Sequence, residues 1–473
     1  MTIKKVFIVL FFAALFITGI APTIDPDMWW HLKTGQLILQ KGIPSADVFS
    51  FTVLGREWTA HEWLSEVILW LIFRNGGLQG IIFWTALLSF LTFGLVYKNC
   101  RRGKPYVAGL SVLLSAVTAT IGWSAGPKLF TYFLAAVFLY ILENWRDGKA
   151  SSRQLLLFPL FSVLWVNLHG GYILGLTLIL IYFVGGVWER RPSLVRLGIM
   201  GGISFFLTAF NPSGWHIWIY PFLQMTSPAQ RLYITEWQSP NFHSIATWPF
   251  MLMFGVCFFF VVKDRRQLAA TPMVLFAGSA GMAFLSIRHI PLFAVLNAPL
   301  LCRAASNILE EKGLKEIVSP ASRDTRVALL NHVLNTAILT GVLLFILVNS
   351  VRRVGSNDHE IAKIFPVTAV DYLKNQGLDR KRGYNDYDFG GYLIWKDIPV
   401  FIDGRADMYG DAYLNKYFDT LRLKEKWRST LDEYKIEYAI LAKDRALCAL
   451  LKESPVWKEV YRDNVARIFV RNP

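Results

Sequence analysis

Runs of about 15 to 20 apolar residues recur through most of the first 354 positions, separated by short charged loops. This is the pattern of a helical protein that crosses a membrane many times. The periodicity predicts eleven spans, at residues 6–21, 78–97, 105–121, 129–143, 155–167, 171–188, 194–210, 249–262, 271–286, 290–303 and 327–350. Several fall short of the roughly 20 residues that cross an untilted bilayer, so they borrow flanking residues or line a cavity. From Val367 the pattern breaks into shorter pieces. A helix is predicted over 367–376, ended by Gly377, with another over 427–436 and strands at 399–402, 438–442 and 465–470. The expected fold is a polytopic α-helical membrane domain, residues 1–354, followed by a small α/β domain, residues 355–473.

Composition sharpens this reading: 54% of the 473 residues are hydrophobic, 18% are charged and the mean hydropathy is +0.37, which excludes a disordered chain and argues against a soluble one. The net charge of +15 has to be located before it is interpreted. Residues 355–473 carry 20 basic and 19 acidic side chains, so nearly all the excess lies in the loops of the membrane domain, where it reports topology and not nucleic-acid binding. The stretch 62–74 decides the orientation. Counting it as a span puts most of the positive charge outside, whereas laying it at the interface puts 20 of the 29 basic residues of the membrane domain, among them Lys98, Arg101, Arg102, Arg190, Arg191, Lys315 and Arg323, on the cytoplasmic side. The first span is then an uncleaved anchor, and residues 22–77, residues 211–248 and the C-terminal domain all face away from the cytoplasm. Four cysteines, only Cys448 of them outside, give no expected disulfide and no zinc spacing.

Candidate chemistry clusters at the predicted outer edges. The run Asp25-Pro26-Asp27-Met28-Trp29-Trp30-His31 follows the first span directly. Charge so close to lipid is costly unless it is used. Asp25 also suits a helix N-cap, Pro26 the first helical position and Asp27 the helix dipole, but capping does not explain why Asp27 and His31 stand four apart on one face. Later in the loop, His61 and Glu62 could bind a metal, assist a proton transfer or cap a helix. His169 precedes paired glycines at an outer edge, and is either a ligand or a hydrogen-bonded structural residue. Arg288 and His289 lie between two outer span ends, where a cation beside an imidazole suits a phosphate, with a snorkelling arginine as the alternative. In the last domain Asp403 and Arg405 flank a strand-to-helix turn, a frequent binding position and equally a place for an internal salt bridge.

One cytoplasmic tail, one span, a long outer loop with acidic residues just past the membrane, many further spans and an outer C-terminal domain together resemble the GT-C superfamily of membrane glycosyltransferases. Asp25 to His31, His61-Glu62-Trp63, Asn167-Leu168-His169-Gly170, Arg288-His289 and Phe401 to Arg405 look like a little-characterised bacterial group near that superfamily. The resemblance implies a sugar donor carried on a polyprenyl phosphate in the bacterial cytoplasmic membrane, an acceptor outside the cytoplasm, and Asp25 or Asp27 as the catalytic carboxylate. It implies that Arg288 and His289 hold the donor phosphate, and it makes His31, His61, Glu62, His169, Asp403 and Arg405 candidates for substrate binding. Some relatives use Mg or Mn held by acidic residues, and the spacing of Asp25 and Asp27 suits such an ion. The chain departs from better-known sugar-lipid transferases in having His61-Glu62-Trp63 where many have a basic residue and prolines. The competing classes are a transporter or flippase, which predicts charged or broken helices at mid-membrane and internal repeats, and a non-catalytic envelope-assembly protein.

Overall fold

The computed structural model describes residues 2–100, 104–149, 152–191, 194–266, 268–313, 325–424 and 427–472. Of the loop charges above, Arg101, Arg102, Lys315 and Arg323 lie outside the described residues. A helix stands at each of the eleven predicted span positions. In chain order the membrane domain comprises α1 (Ile3–Thr18), α2 (Pro26–Lys41), α3 (Trp63–Cys100), α4 (Pro105–Ala119), α5 (Lys128–Arg146), α6 (Leu157–Leu168), α7 (Tyr172–Trp188), α8 (Leu194–Leu207), α9 (Tyr220–Thr226), α10 (Pro228–Tyr233), α11 (Trp248–Lys263), α12 (Ala270–Leu285), α13 (Ile290–Glu311) and α14 (Thr325–Gly355). Among the described residues five helical stretches, 63–100, 105–122, 245–263, 287–311 and 332–355, are long and apolar enough to cross a bilayer on their own, and shorter apolar helices accompany them. Leu180, Phe206, Leu252, Phe259 and Phe345 are among many large apolar side chains left on the outside, a surface suited to lipid.

The ambiguous stretch 62–74 forms the first part of α3, and Gly77 (φ 59°, ψ −156°) breaks the helix before the span. Only glycine enters that backbone region without strain, so the position divides the helix into two parts, 63–76 and 78–100. Against this segment α2 packs so closely that a Cβ on Gly35 would sit 2.1 Å from the Glu66 carbonyl oxygen.

Beyond the bundle come α15 (Val367–Asn375), β1 (Gly383–Asn385), α16 (Ala406–Leu421), α17 (Trp427–Glu433), β2 (Tyr438–Ala442), α18 (Ala446–Glu453), β3 (Trp457–Arg462) and β4 (Ala466–Arg471). The sheet order is β1-β2-β4-β3, with β1 parallel to β2 and the other pairs antiparallel. The strand expected at 399–402 is absent from this sheet. Its backbone instead exchanges hydrogen bonds with Phe49 and Phe51 of the first outer loop, while the Asn385 side chain serves Phe401 N–H and the Ile402 carbonyl. The loop and the C-terminal domain therefore share one apolar core, in which Trp29 packs on Phe365, Tyr392 and Trp395.

Candidate active site

A cavity of about 900 Å³ opens where the N-termini of α2, α3 and α5 meet the 220–237 arm, the α12–α13 turn and the C-terminal domain. Asp25, Asp27, His31, His61, Glu62, His169, Arg288 and His289 all line it. Residues drawn from four separate chain segments, 25–31, 61–62, 169 and 288–289, thus face one space.

The two aspartates have different tasks. Asp25 caps α2, accepting the Asp27 N–H at 3.0 Å, and its Oδ2 receives Ser124 Oγ at 2.6 Å and Lys128 Nζ at 2.9 Å. Burial opposes its charge, but Lys128 and Ser124 outweigh that and hold the carboxyl below its usual range. Lys128 is shared with Glu236 at 3.1 Å. Asp27 makes no ion pair among the described residues, and only the His31 charge partly offsets its burial. Its Oδ1 accepts the Trp30 indole N–H at 2.9 Å, and among the described residues its Oδ2 has no hydrogen-bond partner. Burial, and then the negative charge of Asp25, push its carboxyl up to about 7. A carboxylate poised near neutrality with one free oxygen is what a general base requires. Behind it, a Cβ on Gly404 would lie 1.7 Å from Asp27 Oδ1, so the C-terminal domain presses bare backbone against this side chain.

Three imidazoles surround Glu62. His61 Nε2 is 3.3 Å and His169 Nε2 3.5 Å from Oε1, and His31 Nε2 is 3.8 Å from Oε2. His61 has its other nitrogen 3.1 Å from the Thr59 carbonyl, so both ring nitrogens face acceptors; burial works against the cation, yet Glu62 lifts it to about 9. His31, buried beside Glu66 with Nδ1 at 3.2 Å, is also held above its ordinary value despite burial. His169 goes the other way. Its Nδ1 accepts the Gly171 N–H at 2.9 Å and sits 2.8 Å from Thr131 Oγ1, which fixes the neutral tautomer with N–H on Nε2, and burial lowers it to about 4.

Arg288 lies across the Trp237 ring, 4.4 Å from its centroid, and among the described residues its guanidinium meets no carboxylate. The ring contact leaves its N–H fork free. The turn is fixed by Ser286 Oγ on the Glu236 carbonyl at 2.7 Å and Ile287 N–H on the Gln238 carbonyl at 3.0 Å. Beside it, His289 lines the same cavity, and the permanently charged member of the pair is Arg288.

Two expectations need correction. Asp403 is fully buried and does not reach the cavity, and the Arg405 guanidinium, also buried, is held by Asp403 (2.8 and 2.7 Å) and Asp47 (2.8 Å) between the rings of Phe49 and Trp58. Tyr409 O–H donates to Asp403 at 2.7 Å. These ion pairs dock the C-terminal domain to the first loop as an internal salt bridge, while Arg405 also belongs to the cavity lining. The residues also fail to fit a divalent cation. The Asp25 oxygen it needs already faces the Lys128 ammonium, and among the described residues no three His, Cys, Asp or Glu side chains converge as ligands.

Lys128, Glu236, Trp237 and Tyr220 complete the walls and escaped the sequence reading. Lys128 and Glu236 did carry a signal, each an isolated charge among aromatic and apolar residues at an outer edge.

No protein-family model matches the chain, and no curated protein sequence matches it. Among solved structures, ArnT from Cupriavidus metallidurans in the apo state aligns over 98% of this chain and 97% of its own, with a TM-score of 0.57 at 14% identity. ArnT bound to undecaprenyl phosphate aligns over the same shares at 0.52 and 14%. The archaeal oligosaccharyltransferase AglB from Archaeoglobus fulgidus, in complex with an inhibitory peptide and a dolichol-phosphate, aligns over 93% of this chain and 69% of its own at 0.60 and 10%. The chain has the GT-C fold. In this GT-C fold the first outer loop and the C-terminal domain close jointly over the cavity, which places Asp27 at their seam.

Proposed function

We propose that this protein is a multi-pass glycosyltransferase of the bacterial cytoplasmic membrane that moves a sugar from a polyprenyl-phosphate carrier to an acceptor outside the cytoplasm. Asp27 acts as the general base. It takes the acceptor hydroxyl proton on Oδ2 as that oxygen bonds to the anomeric carbon, the bond from that carbon to the phosphate oxygen breaks, and its electron pair leaves with the phosphate, inverting the centre. Charge grows on the phosphate along this path, so a fixed guanidinium stabilises the transition state more than the ground state. Arg288 is that group. Lys128, compensated by Asp25 and Glu236, fixes the α2 terminus. The observation that carries the reading is the pairing, in one cavity, of Arg288, which makes no direct ion pair among the described residues, with a carboxylate pushed up to about 7. The GT-C fold supports it, as do the undecaprenyl phosphate on ArnT and the dolichol-phosphate on AglB.

The test is release of polyprenyl phosphate from a panel of polyprenyl-phosphate sugars by the purified protein with membrane extract as acceptor. Release by the wild type, lost in Asp27→Asn and Arg288→Gln with folding intact, supports the reading. A wild type that releases nothing from any donor refutes it.

A further inference from the structure

The C-terminal domain contributes a cation that the proposed reaction does not use. Arg422, just past the end of α16, lines the same cavity and lies over the Tyr233 ring at 4.7 Å, and among the described residues it meets no carboxylate. Its neighbours differ: Lys424 pairs with Asp419, and Arg445 with the buried Asp386. Arg422 and Arg288 are thus two cavity arginines held by an aromatic face and not by an acid, one from each domain. Their rings, Tyr233 and Trp237, are four residues apart on one arm, a separation of at most about 14 Å between Cα atoms. The arm is itself fastened to α16 by Tyr220 O–H on Asp407 at 2.9 Å, by Ser227 on Asp411, and by Tyr233 stacked on Phe418 at 4.3 Å. Arg422 therefore sits on a braced contact. A guanidinium so placed keeps its donors unspent and suits an oxyanion.

We infer that Arg422 forms a second anion site of the cavity, which takes a phosphate group other than the one Arg288 holds. The inference rests on the proposed function, because a polyprenyl monophosphate fills the Arg288 site alone. The second phosphate belongs either to a diphosphate-linked donor or to a phosphorylated acceptor, and the same variant separates them.

The experiment measures binding to the full-length protein in detergent, for wild type, Arg422→Gln, Arg422→Lys and Arg288→Gln. If the second phosphate is the donor's, wild type binds polyprenyl diphosphate about ten- to a hundredfold tighter than polyprenyl phosphate, and Arg422→Gln erases that advantage without changing monophosphate binding. If it is the acceptor's, protein already saturated with polyprenyl phosphate binds inorganic phosphate, and Arg422→Gln abolishes this. In either case Arg422→Lys restores part of the binding at an unchanged melting temperature. The inference is overturned when Arg422→Gln alters neither measurement while Arg288→Gln still weakens polyprenyl phosphate. Failure of the functional reading looks different: wild type binds no polyprenyl phosphate, or Arg288→Gln leaves that binding unchanged.

Discussion

Replacing Asp27 by Asn should stabilise the protein while silencing it. The ordinary carboxyl value is 3.8 and Asp27 titrates at about 7, so the folded state disfavours its ionised form. Stability is therefore lost as pH rises from about 4 to about 7, and the whole effect is on the order of 4 kcal/mol. Asparagine carries none of this cost, and its amide oxygen still accepts the Trp30 N–H. Thermal unfolding at pH 8 should show a higher midpoint for Asp27→Asn than for wild type, with the two converging near pH 4. The rate should move the other way, falling about 10²- to 10⁴-fold with the base gone. In wild type about half of Asp27 is ionised at pH 7 and about a tenth at pH 6, so turnover should drop roughly tenfold per pH unit on the acid side. Asp25→Asn supplies the contrast. It removes the more buried of the two carboxylate partners of Lys128 and should lower the midpoint. An Asp27→Asn protein within tenfold of the wild-type rate, or a wild-type rate flat between pH 5 and 7, refutes the assignment.

Glu62→Gln strands the His61 cation, whose value is about 9 in the fold against 6.5 unfolded. That stabilisation is complete below pH 6.5 and lost as pH climbs through 9, so the variant should lose about 3 kcal/mol at pH 6 and far less at pH 10, read from thermal unfolding at both. Arg405→Gln leaves Asp403 and Asp47 buried without their cation, at a cost of about 3–5 kcal/mol. Limited proteolysis should release the C-terminal domain from it sooner than from wild type, and an unchanged cleavage rate would count against the docking role. Arg288→Gln should weaken polyprenyl phosphate about ten- to a hundredfold in a binding titration with no change in melting temperature, since it breaks no ion pair.

Local signals were enough for much of the architecture. The strand at 438–442 appears with those bounds, and the 367–376 helix does end at Gly377, which adopts φ 65°. The chain break expected between the stretch 62–74 and the span from 78 falls at Gly77, whose backbone leaves the helical region. Partnership was not legible. Asp25 and Asp27 look alike in sequence, and what divides them is Lys128, 103 positions from Asp25. Asp403 and Arg405 looked like a site because charges at a turn read the same whether they face a ligand or each other, and the third member, Asp47, lies in another domain. Val400 has strand character, and it is satisfied by the first loop in place of its own sheet.

The missing side chain at Gly404 brings the seam between the domains directly against Asp27, the proposed base. With backbone packed directly on the base, there is no slack in which the outer domain could shift without moving or uncovering Asp27. Gly391, whose Cβ would collide with the Pro26 carbonyl oxygen, repeats the fit at the neighbouring residue. A compound that wedges this seam would displace Asp27 without competing for the cavity.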